Sequence, residues 1–157
     1  MPATILRRQC VHGLLLCCLQ LLSACSDNQP RLPELLDDAV VLAFGDSLTF
    51  GTGAEPAESW PAVLAQLTGR AVINAGIPGE VTASGKSRLP ALLEAHHPDL
   101  LILCHGGNDL LRKFNPQATR ANLEAMIESA RQRRIPVLLM GVPRPGLVWL
   151  ESAELYL

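Results

Sequence analysis

Ala39-Val40-Val41-Leu42-Ala43-Phe44-Gly45-Asp46-Ser47-Leu48-Thr49-Phe50-Gly51 is the stretch on which the fold turns. Its apolar first half is too short to span a membrane and lies between Asp37-Asp38 and Gly45. That predicts a buried strand of a parallel sheet. A strand that ends in Gly-Asp-Ser and enters a glycine-containing loop lifts a hydroxyl to the carboxyl end of the sheet. Open α/β sheets hold their ligands at that edge. Taken alone, Gly45-Asp46-Ser47 reads more readily as a plain turn, because all three residue types favour turns. The downstream sequence decides between the two.

Working outward, Trp60, Val63, Leu64 and Leu67 recur at i, i+3, i+4 and i+7 and predict a helix closed by Gly69. Ala71-Val72-Ile73-Asn74 reads as a second strand. A helix is expected over 82–97 with Leu89, Leu92 and Leu93 on one face, kinked or divided at Pro90. Leu100-Leu101-Ile102-Leu103-Cys104 is the central strand. Asn115-Pro116 opens a helix whose buried face is Leu123, Met126, Ile127 and Ala130. A fourth strand is expected over 137–142, and a helical pattern without a capping residue over 147–157. Strands alternating with helices predict a parallel, three-layer α/β/α fold.

The chain has 157 residues, enough for one domain, and a net charge of −2. Its one basic run, Arg131-Gln132-Arg133-Arg134, ends a predicted helix where cations interact favourably with the dipole, so nucleic acid is a poor partner. Residues 1–24 read as a signal peptide, with Arg7-Arg8 ahead of a short apolar core. Leu22-Ser23-Ala24-Cys25 is similar to a bacterial lipobox, which makes Cys25 the expected lipidation site. An ordinary secretory signal is the alternative, and export is implied in either case. Residues 25–38 are then a lipid-anchored tether and 39–157 the folded domain. The expected location is the periplasm or the outer membrane. Of five cysteines only Cys104 would remain as a free thiol, so no disulfide or structural zinc is expected.

Three blocks carry a resemblance. Gly45-Asp46-Ser47-Leu48, Asn74-Ala75-Gly76-Ile77-Pro78-Gly79 and Gly106-Gly107-Asn108-Asp109 resemble, in order, blocks of the GDSL or SGNH hydrolases. This is a family of esterases, lipases, thioesterases and lysophospholipases. The resemblance is strongest to its thioesterase I, arylesterase and lysophospholipase branch. It implies the flavodoxin-like sheet of the SGNH fold, an ester substrate, Ser47 as nucleophile, and no cofactor or metal. Opening an ester takes a hydroxyl nucleophile, a base for its proton and donors for the oxyanion. If the three loops meet at one sheet edge, the donors are the N–H groups of Ser47 and Gly79 and the side-chain amide of Asn108. The family assigns the same positions. Pro78-Gly79 is otherwise an ordinary turn, and Asn108-Asp109 a helix cap. Leu48, Ile77 and Leu110 suggest an apolar acyl site and are equally ordinary core. The oligomeric state is open.

The family's base, a His three residues after an Asp, is missing. No Asp-x-x-His occurs in the sequence. His12 lies in the leader, and His96 and His97 precede a strand and so sit at the wrong edge. His105 is at the correct edge, but strand geometry is expected to turn it away from Ser47. The missing motif and the uncapped final helix fit a chain that stops before a further strand, an Asp- and His-bearing loop and a closing helix. Such a chain is expected to be nearly inactive. The competing reading is a lipid-anchored surface binding protein, or a remnant, that keeps the cleft without the chemistry.

Overall fold

The computed structural model describes residues 31–142. The leader with Cys25 and the helical pattern expected over 147–157 lie outside the described residues. The apolar run that opened the sequence reading forms β1 (Val40–Gly45), buried from Val41 onward. It lies between β2 (Ala71–Gly76) and β3 (Leu100–Cys104), and β4 (Val137–Leu139) pairs with the far side of β3. All three pairings are parallel, in the order β2-β1-β3-β4. This is the flavodoxin-like winding, in which the chain reverses direction beside β1.

Alternation along the strands sends side chains to two helical layers. On one face Leu42, Phe44, Leu101 and Leu103 pack with Leu89 and Leu93 of α3 (Thr82–His96) and with Leu123, Met126 and Ala130 of α5 (Pro116–Gln132). On the other, Val41, Leu100 and Ile102 meet Trp60 and Leu64 of α2 (Trp60–Thr68). Each fully buried Leu or Phe contributes roughly 1.5–3 kcal/mol by leaving water. Asn115 caps α5 by accepting from the N–H groups of Gln117 and Ala118 at 2.8 and 3.2 Å, with Pro116 at the first helical position.

Four details differ from the sequence reading. α3 is a single helix running through Pro90, so the division allowed for there does not occur. Leu89 and Leu93 on either side are buried in the core, and that packing outweighs the one intrahelical bond Pro90 cannot make. Leu67 is 81 % exposed, because α2 lies against the edge strand β2 and turns Trp60 and Leu64 to the sheet. The β4 ladder stops at Leu139, although the Met140 N–H still donates to the Leu103 carbonyl at 2.9 Å. The end of the expected tether is docked: Arg70 donates to the carbonyls of Leu35 and Leu36 at 2.7 and 2.8 Å.

Candidate active site

The carboxyl ends of β1, β2 and β3 meet at one edge. Two glycines make the approach possible. A Cβ on Gly45 would overlap the Cys104 carbonyl and the Thr49 hydroxyl, and one on Gly76 would overlap the backbone of Phe50. With both side chains reduced to hydrogen, the chain after β1 folds directly onto the sheet edge as α1 (Ser47–Phe50), one helical turn. Ser47 is its first residue. Asp46, 1 % exposed, caps the turn by accepting the Leu48 N–H at 3.0 Å. The Ser47 N–H belongs to the first turn, whose donors have no intrahelical acceptor.

Ser47 and Asn108 line one cleft of about 200 Å³, together with Asp46, Leu48, Leu110 and Leu111. Asn108 is carried by α4 (Gly107–Leu111), a short helix after β3 where the sequence predicts a loop or a cap. Its amide donates to Asp46 Oδ2 at 3.3 Å and to the Glu80 carbonyl at 3.0 Å. Gly79 does not line this cleft. It sits on the neighbouring β2–α3 loop at φ +76°, one residue before Glu80, and its carbonyl accepts from Arg112 Nη2 at 2.9 Å. Of the apolar candidates, Leu48 and Leu110 are in the wall of the cleft and Ile77 is not.

The remaining polar residues of the three blocks hold loops. Asn74 donates to the Phe50 carbonyl at 3.2 Å and accepts the Gly76 N–H at 3.0 Å. Asp109 is buried and accepts from both the N–H and the hydroxyl of Thr82, at 2.9 and 2.6 Å, and from the Thr119 hydroxyl at 3.5 Å. It ties the starts of α3 and α5 to α4.

His105 is fully buried and turned away from the cleft. Its Nε2 lies 3.2 Å from Glu80 Oε2, and its Nδ1 accepts the Gly106 N–H at 3.1 Å. Glu80 is held in turn by Arg88, at 3.0 Å from Nε and 2.6 Å from Nη2. The Arg88 guanidinium lies 4.3 Å from the centre of the Phe44 ring. Burial pushes the Glu80 carboxyl upward, but the hydrogen bonds and charges of Arg88 and His105 prevail and hold it below its ordinary value. Sequence inspection missed this cluster, since Glu80, Arg88 and His105 share no local spacing. Gly85 was the one available signal: a helix-interior glycine whose Cβ would stand 2.5 Å from His105 Nε2.

Cys104 packs with Leu110 and Val142. Burial raises its thiol pKa, the Asp46 charge adds to that, and the Thr49 hydroxyl opposes it. Such a thiol stays protonated and inert. Among the described residues, no three His, Cys, Asp or Glu side chains gather where they could hold a metal ion.

A parallel sheet of this order, with a serine opening a helical turn at its carboxyl edge and an asparagine facing it, defines a serine-hydrolase type of architecture. Residues 43–155 match the GDSL-like lipase/acylhydrolase family, and the chain belongs to that family. It is 36 % identical over 110 residues to Esterase TesA of Pseudomonas aeruginosa, covering 67 % of this chain and 55 % of that protein. It is also 36 % identical over 108 residues to the thioesterase 1/protease 1/lysophospholipase L1 of Escherichia coli K12, covering 68 % and 52 %. Its fold is similar to the crystal structure of AlinE4, an SGNH-hydrolase family esterase. There the TM-score is 0.68 at 37 % identity, over 78 % of this chain and 69 % of that one. The chain spans about half the length of these curated relatives.

Proposed function

We propose that this chain carries the nucleophile and oxyanion half of a carboxylic ester or thioester hydrolase. Ser47 Oγ attacks the substrate carbonyl, its proton passes to a base, the alcohol or thiol leaves, and water releases the acyl group. The Ser47 N–H and the Asn108 amide stabilise the oxyanion, and the Gly79 N–H joins them where substrate extends from the cleft to the neighbouring β2–α3 loop. The observation that carries this reading is the shared cleft of Ser47 and Asn108 at the carboxyl edge. The family's base motif, Asp-x-x-His, does not occur in these 157 residues. His105 is not the proposed base, because its buried ring lies outside the lining of the Ser47 cleft. In a serine protease, losing the triad histidine lowers kcat by about 10⁶-fold, or roughly 8 kcal/mol of barrier. Unaided turnover by the 157-residue chain is therefore near background. Lipidation at Cys25 and export to the periplasm or outer membrane complete the proposal, supported by the lipobox-like Leu22-Ser23-Ala24-Cys25.

The test supplies the missing base from solution. A fluorophosphonate probe is expected to label Ser47 slowly, faster when imidazole is added, and not at all in Ser47→Ala. A folded chain that resists labelling even with imidazole favours the binding-protein or remnant reading. Turnover without imidazole that disappears in Ser47→Ala makes His105 the base after all.

A further inference from the structure

The carboxyl edge carries more exposed apolar surface than a cleft for a small ester requires. Leu48, Phe50, Ile77, Leu111 and Phe114 are all exposed there, on the short helices and loops that follow β1, β2 and β3. Leu111 is 65 % exposed and Phe114 48 %. Between these two lie Arg112 and Lys113, both exposed. The tip Leu111-Arg112-Lys113-Phe114 thus presents two cations flanked by two large apolar side chains. Its backbone is fixed: the Lys113 N–H donates to the Leu110 carbonyl at 3.0 Å and the Phe114 N–H to the Asp109 carbonyl at 2.9 Å. Arg112 is anchored to the Gly79 carbonyl. Apolar side chains that interleave with cations on a held turn match the membrane interface, where rings and alkyl groups enter the headgroup layer and ammonium and guanidinium groups meet phosphates. The carboxylates nearest the cleft do not oppose this. Asp46 and Asp109 are buried, and Glu80 is paired with Arg88. The exposed Glu55 and Glu58 of this edge stand on the separate 51–59 loop.

We infer that this edge docks on a phospholipid surface with anionic headgroups, led by the 111–114 tip, so that the mouth of the Ser47 cleft faces the lipid. The inference deepens the proposed function by naming the phase from which the ester would be drawn. Docking itself needs no turnover and stands or falls separately.

The experiment uses the full chain carrying Phe114→Trp, with Leu67→Trp on α2 as a second reporter, and subtracts the fluorescence of the parent chain. Vesicles of brominated phosphatidylcholine, with and without phosphatidylglycerol, serve as quenchers. Quenching at 114 and not at 67, present with phosphatidylglycerol and weakened by salt and by Lys113→Gln, is the expected result. Whatever else in the chain holds it to the vesicle, only docking by this edge separates the two positions. Equal quenching at both positions, no quenching at 114, or quenching indifferent to headgroup charge would overturn the inference. Fluorophosphonate labelling of the same samples reports the Ser47 chemistry independently.

Discussion

The Asn108 amide reaches Asp46 Oδ2 at 3.3 Å across 62 residues of sequence. The same nitrogen donates to the Glu80 carbonyl at 3.0 Å, so both of its hydrogens are directed at protein acceptors. Under the proposed function, the longer bond is the one that would be exchanged for a negative oxygen forming beside Ser47. Asn108→Ala is expected to lower the imidazole-assisted rate of Ser47 labelling by about 10²–10³-fold, the usual effect of removing one oxyanion donor. A time course of probe incorporation measures it, with thermal unfolding run in parallel to separate lost chemistry from lost fold.

Asp109 is a test of stability rather than of chemistry. Asp109→Ala leaves the Thr82 N–H and hydroxyl without their shared acceptor in a site closed to water. Each unsatisfied buried group costs about 1–3 kcal/mol, so urea unfolding is expected to show a loss of about 3 kcal/mol. A change within error would mean that water replaces the carboxylate.

Glu80 sets an acid limit. Its carboxyl titrates below the ordinary 4.5 in the folded chain, so the unfolded chain binds its proton first as pH falls. Its contribution to stability is complete above that ordinary value and is lost as pH drops through the lowered one. Arg88→Met removes the strongest opposing interaction and leaves only His105 against burial, which raises the folded value relative to the parent. The variant is expected to be less stable at neutral pH and to begin losing stability at a higher pH than the parent. Urea midpoints taken from about pH 6 down to about pH 3 check both.

Gly85→Ala adds one methyl group against the His105 ring and 3.3 Å from Phe44 Cε1. The ring is fully buried and tied to Glu80, so it can yield only by breaking that contact. A loss of about 1–3 kcal/mol is expected from overpacking, read by chemical denaturation. Its acid limit should move in the same direction as that of Arg88→Met.

Periodicity and length made the sheet legible. Val41 to Phe44 and Leu100 to Cys104 are too apolar and too short for anything but central strands, and Asn115-Pro116 marks its helix start by capping chemistry. Sequence motifs likewise brought Ser47 and Asn108 to one edge. What stayed hidden was long-range. Pro90 reads as a break until Leu89 and Leu93 are seen in the core, and Leu67 reads as core until α2 is seen against an edge strand. The Glu80–Arg88–His105 cluster joins three segments by side chains whose spacing obeys no period. Gly79 shows a different limit: its motif is clear, yet it stands on the β2–α3 loop outside the cleft lining, with its carbonyl taken by Arg112.

The bond from the Thr82 amide to Asp109 also governs how the molecule opens. That amide is the donor at the start of α3, and its acceptor comes from α4, which packs against α5. No local fraying of one helix end exposes it, because the acceptor moves only if the other elements move. In deuterated solvent it should therefore exchange as slowly as the amides of β1 and β3, through the whole-domain opening alone. The edge that carries Ser47 would then be as slow to breathe as the core beneath it.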